Sequence, residues 1–316
     1  MRKQIPPIIK GFMTYIPGMY NLFGNHTTGG TDSAEYCYGT WFKHLTFLWE
    51  NKVQRIPDTM IELGPGDSLG IGLAALLSGV NNYYALDVVE YVDTERNLMI
   101  FDQLVDLFKQ RAGRPSRGWP DFDQYLDANL FPGHILTEDI LRTALAQERI
   151  EAIRNALRNI NSEGDEITIK YIAPWNDLRV VNEESVDLIL SHSVLEHVTD
   201  LENAYKAFAT WLKPKGYMSH QIDFTSHHLA KKWNEHWSYS ELSWKIVVGR
   251  RPYLINRQPC STHTNLIKKN GFELLCSMKR RETNGVARSK LANSWQDMSE
   301  DDFTCSGAFV QAYKIG

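Results

Sequence analysis

Carboxylates, histidines and one glycine turn mark where this chain could do chemistry. Near residue 60 the sequence runs TMIELGPGDSLGIG, which places Glu62, Gly64, Gly66 and Ser68 at alternate positions. Glycines let a backbone come close to a ligand, and the amino end of a following helix offers N–H donors to a negative group. Downstream, NYYALDVV carries Asp87, 21 residues beyond Gly66. A strand-end carboxylate about 20 residues after such a turn can accept both hydroxyls of a ribose. The pair points to an adenosine-containing cofactor. A dinucleotide needs a third glycine for its pyrophosphate, whereas Asp67 and Ser68 stand where further glycines would go and Glu62 adds negative charge. This set suits a cationic sulfonium amino acid better than a pyrophosphate.

A second group follows two later apolar runs: His192 and His220, then Asp223, His227 and His228. Histidine is the natural proton acceptor near neutrality, so His192, His220 and Asp223 are the candidates for moving a proton. His197 reads as packing at a helix start. The same side-chain types ligate divalent ions, but no HExxH or comparable fixed spacing accompanies them, and no metal is expected.

These residues need elements that deliver them to one edge. The strand opening at 59 runs into the glycine turn and a helix from Leu69 to Ser78, and a second strand covers 82–89. Helices are expected at 35–51, 95–111 and 137–160, with a loop at 112–124; Thr137 and Asp139 open the third, and apolar residues recur along it at helical spacing. ITIKYIAP (167–174), VDLILSHS (186–193) and GYMSHQIDF (216–224) are strands, and 194–216 is a helix closed by a Pro/Gly turn. A helix in THTNLIKKNG and strands in GFELLCSMKR and GAFVQAYKI complete the chain. Strands alternating with helices imply a mostly parallel α/β sheet covered on both faces, with ligands outside the carboxyl ends of its strands.

In order and spacing, ELGPGDS, ALDVVEY, VDLILSHSVLEHVTD and WLKPKGYMSHQIDF resemble the class I S-adenosylmethionine-dependent methyltransferases, in the branch with ELGPG and SVLEHV motifs. Ser68 replaces the third glycine of the family turn and Lys215 the first glycine of its LKPGG turn. The resemblance implies a Rossmann-like, doubly wound, mostly parallel seven-stranded sheet with an antiparallel last strand, and S-adenosyl-L-methionine as cofactor. It implies that Glu62, Gly64, Gly66 and Ser68 line the methionine moiety and that Asp87 holds the ribose. Val88 would flank the sugar or adenine, Trp175, Asn176 and Asp177 would supply the adenine edge, and Ser191 and His192 would face the sulfonium and the acceptor. An NAD-type oxidoreductase and an inactive binding protein of the same fold are the alternatives.

Composition narrows the acceptor. Hydrophobic residues make up 43% and charged residues 23% of 316, which excludes disorder. With 34 basic against 38 acidic residues there is no basic field for a nucleic acid. The expected acceptor is a small molecule or a glycan precursor, methylated at oxygen. Prolines interrupt the N-terminus before a signal-peptide core forms, apolar stretches stop at about ten residues where a membrane span needs ~20, and the four scattered cysteines read as reduced thiols. A cytoplasmic protein without a membrane span is expected, its oligomeric state open. Three tracts exceed the minimal fold: an N-terminal extension at 1–58, then insertions into a 59–316 domain at 92–165 and 225–261. Their tryptophans, with Arg250, Arg251 and Arg257, would form a cap over the acceptor.

Overall fold

Apolar runs of five to seven residues supply four of the parallel strands: β1 (Thr59–Leu63), β2 (Asn82–Leu86), β3 (Thr168–Ile172) and β4 (Val186–His192). β5 (Leu212–Asp223) continues that set, and β6 (Phe272–Arg281) and β7 (Cys305–Lys314) close the sheet. The computed structural model describes residues 6–16, 30–90, 92–114, 118–162, 164, 166–175, 177–251 and 253–316. Strand order is β3-β2-β1-β4-β5-β7-β6, with β7 antiparallel to both neighbours. The fold is therefore the expected Rossmann-like, doubly wound, mostly parallel seven-stranded sheet. Its order reverses between β1 and β4, the place where open α/β sheets bind ligands at the carboxyl ends of their strands.

Alternation along the strands sorts side chains into two layers. Met60, Leu188 and Leu190 join one apolar cluster, and Ile61, Leu63 and Ile189 join the other. Helices α2 (Ala34–Glu50), α3 (Gly70–Leu76), α4 (Thr94–Lys109) and α6 (Gln147–Arg158) cover the first face, while α7 (Leu201–Trp211) and α9 (Cys260–Lys269) cover the second. The remaining long elements are α1 (Pro7–Met13), α5 (Glu138–Ala144) and α8 (Glu241–Val248). α1 packs on α8. Among the described residues no helix is long and apolar enough to cross a membrane.

Three expectations change. The helix expected over 137–160 is two, because the backbone turns extended at Ala146 (ψ 143°) before α6 begins. Arg149 explains the break: its guanidinium donates to Asn81 Oδ1 and to the carbonyls of Leu76 and Val80, fixing α6 against the end of α3. The helix expected over 194–216 becomes a 3-10 turn at Leu195–His197 and α7, with Asp200 capping α7 and β5 starting at Leu212. Within the tract 1–58, helix α2 is part of the core. Every α2 residue from Cys37 to Leu48 is buried, and the Trp41 indole donates to Ser78 Oγ at 2.8 Å. Trp41 and Trp237, from two of the expected cap tracts, fill the interior.

One contact fixes how α3 meets the sheet. A Cβ on Gly72 would lie 2.0 Å from Cζ of Tyr83, so only glycine lets the helix pass over that ring. Tyr83 in turn donates to Glu62 Oε2 at 2.6 Å, tying β2 to the strand that carries the glycine turn. Gly72→Ala is expected to destabilise the fold by about 1–3 kcal/mol through overpacking. Urea unfolding measures this; a change within about 0.5 kcal/mol contradicts the contact.

Candidate functional site

The glycine turn follows β1 directly. Gly64 and Gly66 adopt φ of +60° and +78°, the left-handed region. A Cβ on Gly64 would meet Val194 Cγ2 at 2.7 Å, so the turn lies tight beneath the first residues after β4. Its amide donors are already engaged. Thr31 Oγ1 accepts from the N–H of Asp67 at 2.8 Å and of Ser68 at 3.3 Å, and Asn97 Oδ1 accepts from the N–H of Leu69 at 2.9 Å. Ser68 Oγ donates to the Thr31 carbonyl, and Arg96 holds the Asp67 carbonyl at 3.0 Å. This corrects the expectation of free N–H groups at the helix start: protein side chains occupy the donors a pyrophosphate would need.

Glu62, beneath the turn, is 1% exposed. Burial pushes its carboxyl up to about 7 against the opposing pull of the Tyr83 hydroxyl, and the negative charge of Asp87 adds to the rise. Asp87 follows β2 and is also buried. Its Oδ1 accepts the Val88 N–H at 2.7 Å, and its backbone carbonyl accepts the Trp175 N–H at 3.2 Å. Burial raises the Asp87 carboxyl while the N–H groups of Val88, Val89 and Gly66 hold it down. Val88 is 46% exposed beside it. The Trp175 ring meets Trp211 edge-on at 5.9 Å, and Asp177 pairs with Arg179. Asn176 lies outside the described residues.

The structure does not bring the two expected strand-end histidines together. His192 pairs across the sheet with Gln221, and Ser191 with His220, so the two histidines occupy opposite faces. His220 is 0% exposed, bonded through Nδ1 to Ser191 Oγ at 2.8 Å and stacked on Phe208. Burial holds it neutral, at about 3. The Ser191 hydroxyl is likewise engaged inside the second layer, away from the first-layer face of His192. His192 alone of the two is partly exposed. Its Nδ1 meets Nε2 of His44 at 3.1 Å, and His44 Nδ1 meets Ser219 Oγ at 2.7 Å. Gln311, held by Asn51, donates to the same hydroxyl at 3.0 Å. Lys43 donates to Gln221 Oε1 at 3.1 Å and the Trp119 carbonyl at 2.8 Å, and burial lowers it to about 8. Burial, then the Lys43 charge, lowers His192 to about 3.

Asp223 ends β5 among other partners: Thr225 N–H donates to its Oδ1 at 2.7 Å, and Arg280 and His227 approach at 3.6 and 3.8 Å. Within the tract 225–261, Arg251 and Arg257 are held by internal partners. Arg257 is buried between Trp244 and Trp295 and pairs with Glu241, Arg251 donates to the Val247 carbonyl, and Arg250 lies over Tyr15. Sequence reasoning passed over Thr31, Asn97, Lys43 and His44. Only the last two leave a trace, a Lys–His pair inside the apolar run TWFKHLTFLW.

The chain is similar to known methyltransferases. A ubiquinone biosynthesis O-methyltransferase of Bartonella bacilliformis is 24% identical over 177 residues, covering 54% of this chain and 66% of that protein. Among solved structures, an S-adenosylmethionine-dependent methyltransferase from Mesorhizobium loti is 14% identical with a TM-score of 0.39, over 85% of this chain and 98% of that one. The Haemonchus contortus phosphoethanolamine N-methyltransferase 2, in complex with S-adenosyl-L-methionine, is 14% identical with a TM-score of 0.42, over 100% of this chain and 59% of that one. A family model described as a methyltransferase domain matches residues 34–277, which takes in α2, the glycine turn, Asp87 and His192. The chain therefore belongs to the methyltransferase-domain family and has its class I S-adenosylmethionine-dependent methyltransferase fold.

Proposed function

We propose that this protein transfers a methyl group from S-adenosyl-L-methionine to a hydroxyl of a small-molecule or glycan-precursor acceptor. The occupied amide donors of the Asp67–Leu69 turn carry the reading, because they accommodate an uncharged sugar and a cationic amino acid and disfavour a pyrophosphate. Asp87 accepts the ribose hydroxyls, Val88 and Trp175 border the base, and Gly64 and Gly66 admit the methionine moiety. Glu62 supplies a buried negative charge beneath the cofactor ammonium. Among the methylation acceptors, hydroxyls are favoured because a neutral imidazole, His192, ends β4 at the carboxyl edge of the sheet.

Methyl transfer is a displacement at carbon, in which alignment and exclusion of water do most of the work. Bound S-adenosyl-L-methionine would supply the electrophilic methyl carbon, and an acceptor oxygen lone pair would form the new carbon–oxygen bond as the carbon–sulfur pair returns to sulfur, with S-adenosylhomocysteine as the other product. The oxygen becomes strongly acidic as its new bond forms. His192 Nε2 then takes the proton, while its Nδ1–H donates to His44. A base held at about 3 is weak for a free hydroxyl but sufficient for an oxonium.

Labelled S-adenosylmethionine incubated with a metabolite extract identifies the acceptor, and His192→Ala then tests the proton path. A loss of about 10²- to 10⁴-fold in kcat is expected, with cofactor affinity unchanged; full kcat in the variant contradicts the role. Glu62 sets the pH dependence of cofactor binding. A cation bound beside it lowers its pKa from about 7, so binding releases a proton and S-adenosylmethionine affinity rises as pH passes from 6 to 8. Glu62→Gln should flatten that rise and weaken binding at pH 8. A wild-type affinity that falls over the same range contradicts the assignment.

A further inference from the structure

The turn after β4 carries a second polar centre that methyl transfer does not use. Glu196 is 3% exposed, yet neither carboxylate oxygen accepts a hydrogen bond. The backbone N–H groups of Glu196 and Asp223 face it without closing one. His197 Nδ1 and His227 Nε2 are also buried without partners. Four polar atoms left open at one place would each cost about 1–3 kcal/mol if nothing bound there. They are gathered, not scattered: one ligand atom from each of Glu196, His197 and His227 lies within 4.8 Å of the others, and Glu196 Oε1 is 3.9 Å from His227 Nε2.

We propose that Glu196, His197 and His227 bind one divalent transition-metal cation, with zinc the best match. Two imidazoles and a carboxylate form a borderline donor set that suits zinc better than magnesium, which favours oxygen donors. Ligands at about 2.0–2.2 Å from a tetrahedral ion sit about 3.4 Å apart, so the open cluster closes by small side-chain rotations. Its surroundings are built to hold it. Asn256 locks the turn, donating from its side chain to the carbonyls of Leu195 and Val198 at 2.8 Å each and from its backbone to that of Glu196 at 2.6 Å. Asp223 Oδ2, 3.8 Å from His227 Nε2, stands at the rim, with the other carboxylate oxygen held by the Thr225 N–H. Three protein ligands leave one coordination position open at the carboxyl edge of β4 and β5, where an acceptor would arrive.

The cation site stands independently of the methyl-transfer reading, and metal binding alone tests it. Protein stripped with chelator is titrated calorimetrically with zinc chloride and, separately, magnesium chloride, and cobalt(II) is added for its visible absorption. One equivalent of zinc should bind, tighter than magnesium, with a tetrahedral cobalt spectrum and a rise in Tm. Glu196→Gln and His227→Gln should each lose at least about tenfold in zinc affinity, whereas His134→Gln should lose none. Glu196→Gln keeps the side-chain shape, so it should fold like the wild type and gain nothing in Tm from zinc. Absence of stoichiometric zinc binding, a preference for magnesium, or wild-type zinc affinity in both variants would overturn the site.

Discussion

The turn between β1 and α3 is the constraint on which the site depends. It must pass under Val194, which demands Gly64, and it must satisfy its own amides in a buried place, which Thr31 and Asn97 do from outside the sheet. Buried N–H groups without partners are costly, so these two residues stabilise the turn before any ligand arrives. They also occupy the donors that elsewhere cradle phosphate. Tyr83 anchors the same turn from below through Glu62, and Gly72 makes room for Tyr83. Helix packing, strand register and cofactor chemistry thus meet within about ten residues of chain.

The sheet then sorts function by face. On the α2 side, His192 leads through His44 and Ser219 to Gln311, a polar chain crossing from β4 to β7 inside an apolar layer. Desolvation keeps both imidazoles uncharged, so the chain orients His192 without adding a buried charge. On the α7 side, His220 is sealed by Phe208 and Tyr205 and serves packing. The turn after β4 has a third role, since it closes over the glycine turn with Val194 and gathers Glu196 and His197 beside His227 one step later.

Most of the fold was legible in the sequence because it follows from periodicity and turn chemistry. The strand alternation, the glycine turn and Asp87 all carry local signals, and each stands where those signals place it. Tertiary contacts wrote the rest. Arg149 breaks one helix from a distance, and a one-residue alternation sends His192 and His220 to opposite faces although both end strands at the same edge. Thr31 and Asn97 carry no spacing signal because their partners are backbone amides more than 25 residues away. The tryptophans misled because aromatic density marks interior as readily as pocket, and Trp41 and Trp237 proved to be interior.

Calorimetric titration of the wild-type protein with S-adenosylhomocysteine and, in parallel, with NAD tests most directly whether the filled turn selects a sulfonium-type cofactor over a pyrophosphate. Saturable binding of one equivalent of S-adenosylhomocysteine, with no heat from NAD, is the expected result. Tighter binding of NAD, or binding of neither, would contradict it.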